Sequence, residues 1–284
     1  MAIRALVVGG TSGIGYAMAS RIAAETSSSA VIISGRTEPK NMPHTNIEFR
    51  PLDATSMHDI KEYTNTFKSA QQQKLDLLII TQGIMTTAGR TETPEGIDRK
   101  MALHYYGRQL LIRELMPVLT EDAKVILVFD GRFGTPANLK WDDLDLKKHY
   151  GLGTSANHCM VMNDIMIQFY AAQQQPQGTT KRHFVHAWPG TVKSNLLREL
   201  PWYLQPVGLA SKFISVSADT CAEYLLNGAS KCAAAGNAEG RFWSNIDNKG
   251  RLIANKAIWN SEQMKTVADH TWALVDGTST GSKS

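Results

Sequence analysis

The chain has 284 residues, of which 43% are hydrophobic and 20% charged, and its net charge at pH 7 is +4. This composition can bury a sizeable core and shows no signature of disorder before the last few residues. The positive charge forms no basic run and no patch interleaved with aromatic residues, so we expect no binding to nucleic acid.

No linker rich in proline, glycine or serine divides the chain, so we expect one domain over residues 1–275 and a flexible tail over 276–284. Cys159, Cys221 and Cys232 fit no metal-binding or redox spacing, and we expect reduced thiols and no metal site. Residues 1–8 already have a strand pattern and no long apolar span follows. We therefore expect no signal peptide, no membrane segment and a cytoplasmic location.

The first predicted strand, residues 3–8, leads into a glycine-rich turn that precedes a predicted helix over residues 16–25. Glycines let the backbone approach a pyrophosphate, and the helix offers the anion unpaired N–H groups and the positive end of its dipole. This pattern predicts a dinucleotide site. Its candidate binding residues are Gly9, Thr11, Ser12, Gly13, Ile14 and Gly15.

The second predicted strand, residues 30–34, ends in Gly35-Arg36-Thr37. An acidic residue at this place would bind the ribose hydroxyls of NAD, whereas a guanidinium suits the extra 2′-phosphate of NADP. Arg36 therefore favours NADP(H) as the cofactor. The alternative is a solvated arginine that follows a strand.

Strand and helix patterns alternate along the rest of the chain. Such alternation predicts an α/β fold, a Rossmann-like doubly wound parallel sheet with helices on both faces. The predicted strands cover residues 47–52, 75–81, 124–129 and 183–187, and the predicted helices cover residues 57–73, 96–119 and 155–173.

With these glycines and Arg36, the chain resembles the short-chain dehydrogenase/reductase family over residues 1–235. Asp53 matches the family aspartate that contacts the adenine. The segment that ends in Gln82-Gly83 occupies the place of the family's Asn-Asn-Ala-Gly turn. The segment after residue 188 resembles the family's Pro-Gly segment, which holds the nicotinamide amide. The resemblance implies further cofactor contacts from Pro189, Gly190, Val192 and Ser194.

The catalytic residues of that family are missing. His104 takes the place of its structural asparagine, and Phe129 or Asp130 takes the place of its serine. The tyrosine and lysine positions correspond either to Tyr150 and Thr154 or to Gly153 and Asn157, and none of the eight tyrosines has a lysine four residues later. A tyrosine without a nearby cation is a weak acid at neutral pH.

Four polar residues remain as candidates for the chemistry: Asp130, Arg132, Tyr150 and His104. Asp130 acts as a base or orients a cation and Arg132 binds an oxyanion or carboxylate, or else the two form an ion pair in a surface turn. His104 is either an acid or base near neutral pH or, as we favour, a satisfied core histidine. Tyr150 is either a pocket hydroxyl or a loop residue.

Residues 191–217 are rich in leucine and aromatic residues, and we expect them to form a lid that favours a bulky apolar substrate. The alternative is packing within a helix pair or at a subunit contact. The family resemblance also implies pairing through the two long helices, as a homodimer or homotetramer.

Three functional hypotheses follow. The first is an NADP(H)-dependent reductase of a bulky apolar small molecule in natural-product metabolism, with an imine or iminium ion as substrate because an iminium needs little acid catalysis. The second is a redox-neutral cyclase, isomerase or cycloaddition catalyst that acts by positioning its substrate. The third is a non-catalytic NADP-binding protein.

Overall fold

A computed structural model describes residues 2–25, 27–42, 44–68, 74–174, 178–193 and 215–277. Seven parallel strands form one sheet in the order β3-β2-β1-β4-β5-β6-β7. The order reverses between β1 and β4, which is the point where such sheets bind ligands. The strands are β1 (Arg4–Val8), β2 (Ala30–Gly35), β3 (Ile47–Pro51), β4 (Leu75–Ile80), β5 (Leu119–Val128), β6 (His183–Ala187) and β7 (Trp243–Ile246).

Helices cover both faces of this sheet, and a separate apolar core fills each interface. On one face, α1 packs against α6; on the other, α2 packs against α4 and α5 packs against α7. The predicted α/β fold is therefore confirmed. The helices are α1 (Gly13–Glu25), α2 (Met57–Lys68), α3 (Arg99–Met101), α4 (Gly107–Leu115), α5 (Leu152–Ala172), α6 (Ala218–Glu239) and α7 (Ser261–Gly277).

The helix predicted over residues 96–119 is shorter and interrupted. Asp98 caps it by accepting hydrogen bonds from the backbone N–H groups of Lys100 and Met101. A π-helical turn, Ala102–Tyr106, separates α3 from α4, and a 3-10 turn with Pro117 ends the helix. Because proline cannot continue a helix and β5 already begins at residue 119, the predicted end was too late.

Part of the predicted lid lies outside the described residues, since residues 194–214, including Ser194, are not among them. The same holds for residues 278–284 of the predicted tail. Cys159, Cys221 and Cys232 are free thiols. Within the described ranges, no helix is long and apolar enough to cross a membrane, and no cluster of three or more His, Cys, Asp or Glu side chains could bind a metal ion.

Candidate functional site

A cleft of about 470 Å³ opens at the carboxyl ends of the neighbouring strands β1 and β4. It lies at the topological switch point of the sheet, where a dinucleotide is expected. The structure brings together here ten of the residues proposed from sequence to bind the cofactor. They are Gly9, Thr11, Ser12, Gly13, Ile14, Gly15, Arg36, Asp53, Gln82 and Gly83.

The glycine-rich turn has a backbone that only glycine accommodates. Gly9 has a φ of 81°, and a Cβ atom on it would lie 2.5 Å from the backbone nitrogen of Gln82. A Cβ atom on Gly15 would lie 2.4 Å from Oγ1 of Thr81. The N–H groups of Gly9 and Gly10 donate to the carbonyl of Ser34, which fixes the turn against β2. The glycines therefore let the turn and the start of α1 pack directly against the end of β4, as in a dinucleotide-binding turn.

Two side chains border the cleft beyond the turn. Arg36 is exposed, and its guanidinium makes no hydrogen bond or ion pair with another described residue. Asp53 is half-buried, and its Oδ1 accepts hydrogen bonds from the backbone N–H and the hydroxyl of Thr55 at 2.9 and 2.7 Å. This bond orients the Asp53 carboxylate at the edge of the cleft.

Gln82 provides a further test of whether a polar cofactor fits the cleft. Its side chain is 9% exposed, and neither Nε2 nor Oε1 has a hydrogen-bond partner among the described residues. A buried amide without partners is costly unless a ligand or water satisfies it. The glycine turn, Arg36 and this amide together fit a phosphorylated dinucleotide.

Pro189, Gly190 and Val192 follow the carboxyl end of β6 and do not line this cleft. Gly190 has a φ of 67°, and a Cβ atom on it would lie 2.8 Å from Cβ of Asn248. Val192 forms an isolated parallel bridge with Val216. These residues therefore lie beyond the carboxyl end of β6, and their contact with a cofactor stays a prediction.

His104 lies in the π-helical turn, where its Nε2 accepts a hydrogen bond from the backbone N–H of Ile84 at 3.0 Å. Burial, followed by the charges of Arg108 and Lys100, lowers the pKa of His104 to about 3. The imidazole is therefore neutral near pH 7. It holds the loop after β4 as a buried histidine with a backbone partner.

Arg108 is a functional candidate that the sequence reasoning missed. It is 1% exposed and donates to the carbonyl oxygens of Leu103, Gln82 and Val128 at 3.3, 2.5 and 3.0 Å. No carboxylate among the described residues lies within ion-pair distance of it, and burial lowers the pKa of Arg108 to about 9. Its guanidinium carbon lies 5.1 Å from the ring centre of Phe129. A positive charge is thus buried behind the end of β5.

Asp130 and Arg132 do lie at the carboxyl end of β5, but they form no ion pair with each other. Oδ1 of Asp130 accepts hydrogen bonds from the backbone N–H groups of Arg132 and Phe133 at 3.0 and 3.1 Å. The guanidinium of Arg132 lies over the rings of Phe133 and Trp188, at 4.9 and 4.7 Å from their centres. The carboxylate thus stabilises the turn, and the guanidinium is held by aromatic rings.

Tyr150 lies just before α5, and its hydroxyl is buried without a partner among the described residues. A cation from α3 lies over its ring, since Nζ of Lys100 is 5.3 Å from the ring centre. That ammonium donates to the carbonyl oxygens of Ala88 and Gly89. At the alternative lysine position, Asn157 exchanges hydrogen bonds with the backbone of Thr135.

A buried charged cluster behind β6 and β7 was also missed. Asp164 accepts hydrogen bonds from Nδ1 of His186 at 2.6 Å and Nδ2 of Asn245 at 2.5 Å, and Nζ of Lys256 lies 2.6 Å from its other oxygen. Asn245 also donates to the carbonyl of Gly131. The partners are up to 92 residues apart in the sequence, so no local motif signals the cluster.

Comparison with known proteins places the match in the part of the chain that carries the cleft. The family model described as short chain dehydrogenase matches residues 4–129. An oxidoreductase of Emericella nidulans is 33% identical over 68% of this chain and 60% of its own length. A second oxidoreductase, from Emericella variicolor, is 29% identical over 69% of this chain and 59% of its own length.

A human polyprenol dehydrogenase is 30% identical over 51% of this chain and 48% of its own length. The chain thus spans about three fifths of the length of the two fungal relatives. An NADPH-bound carbonyl reductase from chicken superposes with a TM-score of 0.61 at 19% identity, over 89% of this chain and all of that one. At that identity the likeness shows a shared fold.

Proposed function

Since this chain belongs to the short-chain dehydrogenase/reductase family, we propose that it is an NADP(H)-dependent reductase of a bulky apolar small molecule. The cleft at the β1–β4 switch point carries this proposal. It combines a glycine turn that tolerates no Cβ at Gly9 with an exposed arginine, Arg36, at the place that suits a 2′-phosphate.

The bound cofactor would supply the hydride. The turn from Gly9 to Gly15 would hold its pyrophosphate, Arg36 its 2′-phosphate and Asp53 its adenine end. The buried amide of Gln82 would meet a polar group of the cofactor within the cleft. Both fungal relatives are named oxidoreductases, which supports a redox reaction.

The geometry gives weaker support to an iminium substrate than the sequence does. That hypothesis needs the carboxylate of Asp130 to face a cation, but one of its oxygens accepts two backbone N–H groups of its own turn. The guanidinium groups of Arg108 and Arg132 lie over the rings of Phe129 and Phe133, close in sequence to Asp130. A positive environment disfavours a cationic substrate.

A redox-neutral cyclase or isomerase is the second candidate, and the state of the proton donors favours it. His104 is neutral near pH 7, and the hydroxyl of Tyr150 is buried. An enzyme that works by positioning its substrate needs neither group as an acid. In that case the NADP would be bound but not consumed.

Calorimetric titration with NADPH and NADH tests the cofactor. We expect the Arg36→Asp variant to lose at least about tenfold in affinity for NADPH, because the new carboxylate repels the 2′-phosphate, and less than about threefold for NADH. Arg21→Asp is the matched control, since Arg21 is an exposed arginine on α1 paired with Glu223. Equal losses for both cofactors would contradict the role of Arg36.

Mass spectrometry of products from bulky enones, imines and cyclisation precursors then separates the two candidates. A reductase oxidises one NADPH for each product molecule formed. Products formed with no change in NADPH absorbance would support the redox-neutral candidate and contradict the reductase.

A further inference from the structure

An exposed guanidinium is held in a fixed position at the carboxyl ends of β5 and β6. Arg132 lies over two aromatic rings, and these rings, Phe133 and Trp188, meet edge to face with their centres 5.3 Å apart. Phe133 is 56% exposed, and Trp188 is half-buried at the end of β6. Stacking on aromatic rings restricts an arginine while leaving the N–H groups at the edge of its plane available.

The guanidinium of Arg132 has no polar partner among the described residues. Among the described residues, no carboxylate lies within ion-pair distance of its guanidinium, and its side chain donates no hydrogen bond. The adjacent carboxylate, Asp130, accepts backbone N–H groups instead. Arg108 adds a second positive charge behind the same strand end, also without a carboxylate partner in the described part of the chain. This end of β5 therefore carries more positive than negative charge.

The two rings, whose planes meet at 83°, provide apolar surface at the same place. Trp188 immediately precedes Pro189 and Gly190, the segment that the family resemblance assigns to the nicotinamide end of the cofactor. Large exposed rings bind the apolar body of a ligand, whereas a planar guanidinium binds a carboxylate through two parallel hydrogen bonds. The two rings and the cation together fit a molecule that has an apolar body and a carboxylate.

We infer that Arg132, Phe133 and Trp188 form the substrate-recognition site, and that it selects a flat apolar molecule carrying a carboxylate. The guanidinium of Arg132 binds the carboxylate, and the two rings pack against the apolar body. The location of this site at the substrate end of the cleft rests on the proposed function; the preference for a negative charge rests on the contacts of Arg132.

Three naphthalene probes of the same size test the charge preference: 2-naphthoate, 2-naphthylmethanol and 2-naphthylmethylammonium. Their binding to the full chain is measured by calorimetry in the presence of saturating NADP⁺, which keeps the anion from entering the phosphate site. We expect 2-naphthoate to bind about tenfold more tightly than the alcohol and the ammonium to bind most weakly, as a charge-assisted hydrogen bond predicts.

The variants assign this preference to one side chain. Arg132→Met should bind the acid and the alcohol alike. Arg132→Lys should keep part of the preference, because lysine keeps the charge but not the planar fork. Arg21→Met, which removes the same charge from an exposed position on α1, should behave as the wild type. Unchanged affinity for NADPH shows that each variant is folded.

Equal binding of the three probes to the wild type, failure of 2-naphthoate to bind, or a preference that survives in Arg132→Met would overturn the inference. Failure of the proposed function has a different signature. In that case NADPH does not bind or is never consumed, while the naphthoate preference, measured also without NADP⁺, is present and depends on Arg132.

Discussion

One half of the sheet builds its site mainly from backbone atoms, and the other half builds its site from side chains. Around β1, β2 and β4, the cleft is shaped by backbone atoms and by glycines that tolerate no Cβ, as at Gly9 and Gly15. Around β5, β6 and β7, side chains determine the environment, as with Arg108, Arg132 and Asp164. The family match covers residues 4–129 and thus ends where β5 ends.

This difference shows how a chain can retain the family fold while the side chains at its strand ends change. A site made of backbone depends on the fold itself and tolerates few substitutions. A site made of side chains can be replaced residue by residue while the sheet stays intact. At the end of β5 this chain has Phe129 and Asp130, and the guanidinium of Arg108 is buried beside the ring of Phe129.

The largest expected effect tests the backbone-built half. Gly15→Ala would place a Cβ atom 2.4 Å from Oγ1 of Thr81 and 2.5 Å from the carbonyl oxygen of Gly9, so the turn must shift. We expect NADPH affinity to fall roughly a hundredfold or more, about 3 kcal/mol, in a calorimetric titration. Gly153→Ala is the control, because nothing lies within 4 Å of a Cβ there. If both variants bind NADPH normally, the first half does not depend on close backbone approach.

An effect of similar size is expected from the charged cluster in the other half. Lys256 is 9% exposed, and Lys256→Met leaves the carboxylate of Asp164 buried without a cation. We expect the free energy of unfolding in urea to fall by about 3 kcal/mol, with partial recovery in the double variant Asp164→Asn/Lys256→Met. For Lys265→Met, in an exposed pair with Asp269, we expect a loss below about 1 kcal/mol. Similar losses from both lysines would contradict the difference in burial.

The smallest effect concerns pH. Burial holds the pKa of His104 at about 3, below its ordinary value of 6.5, so the unfolded chain binds this proton first as pH falls. The stability contributed by the neutral imidazole is complete above pH 6.5 and is lost progressively toward pH 3. Unfolding in urea from pH 8 to pH 5 should show that His104→Asn loses less stability per pH unit than the wild type, by up to about 1.4 kcal/mol between pH 5 and 6.

His158, His183 and His270 also have pKa values lowered by burial, so the variant should reduce the slope and not abolish it. Each of these histidines lies after β4 in the chain. An unchanged slope in His104→Asn would mean that His104 is protonated to the same extent in the folded and unfolded states. The pH dependence of stability would then contain no contribution from His104.

The half of the sheet around β1, β2 and β4 could be predicted from the sequence because its signals are local. The turn from Gly9 to Gly15 lies in one run between a strand and a helix, and Arg36 follows the next strand. Predicted strand ends there differ from the observed ones by one residue: residues 3–8 against Arg4–Val8, and residues 30–34 against Ala30–Gly35.

The side-chain contacts in the half around β5, β6 and β7 could not be predicted from the sequence, because they join residues that are distant in the chain. Lys256 and Asp164 meet only once β7 and the segment after it are in place. The π-helical turn Ala102–Tyr106 has no glycine or proline within it, so the pattern reads as a continuous helix. Arg108 has the sequence context of an exposed helical arginine, and only the position of β4 and β5 buries it.

The cluster at Asp164 has a consequence for the order in which the chain folds during synthesis. Its partners, His186, Asn245 and Lys256, are made after it, and the ammonium group that neutralises its charge is made last. Strands β1 to β4 are complete by residue 80, well before that point. At a ribosomal rate of about 5–20 residues per second, roughly 10 to 35 seconds separate the two events. We therefore expect the amino-terminal half of the sheet to assemble on the ribosome while the Asp164 cluster closes late, after Lys256 has left the exit tunnel.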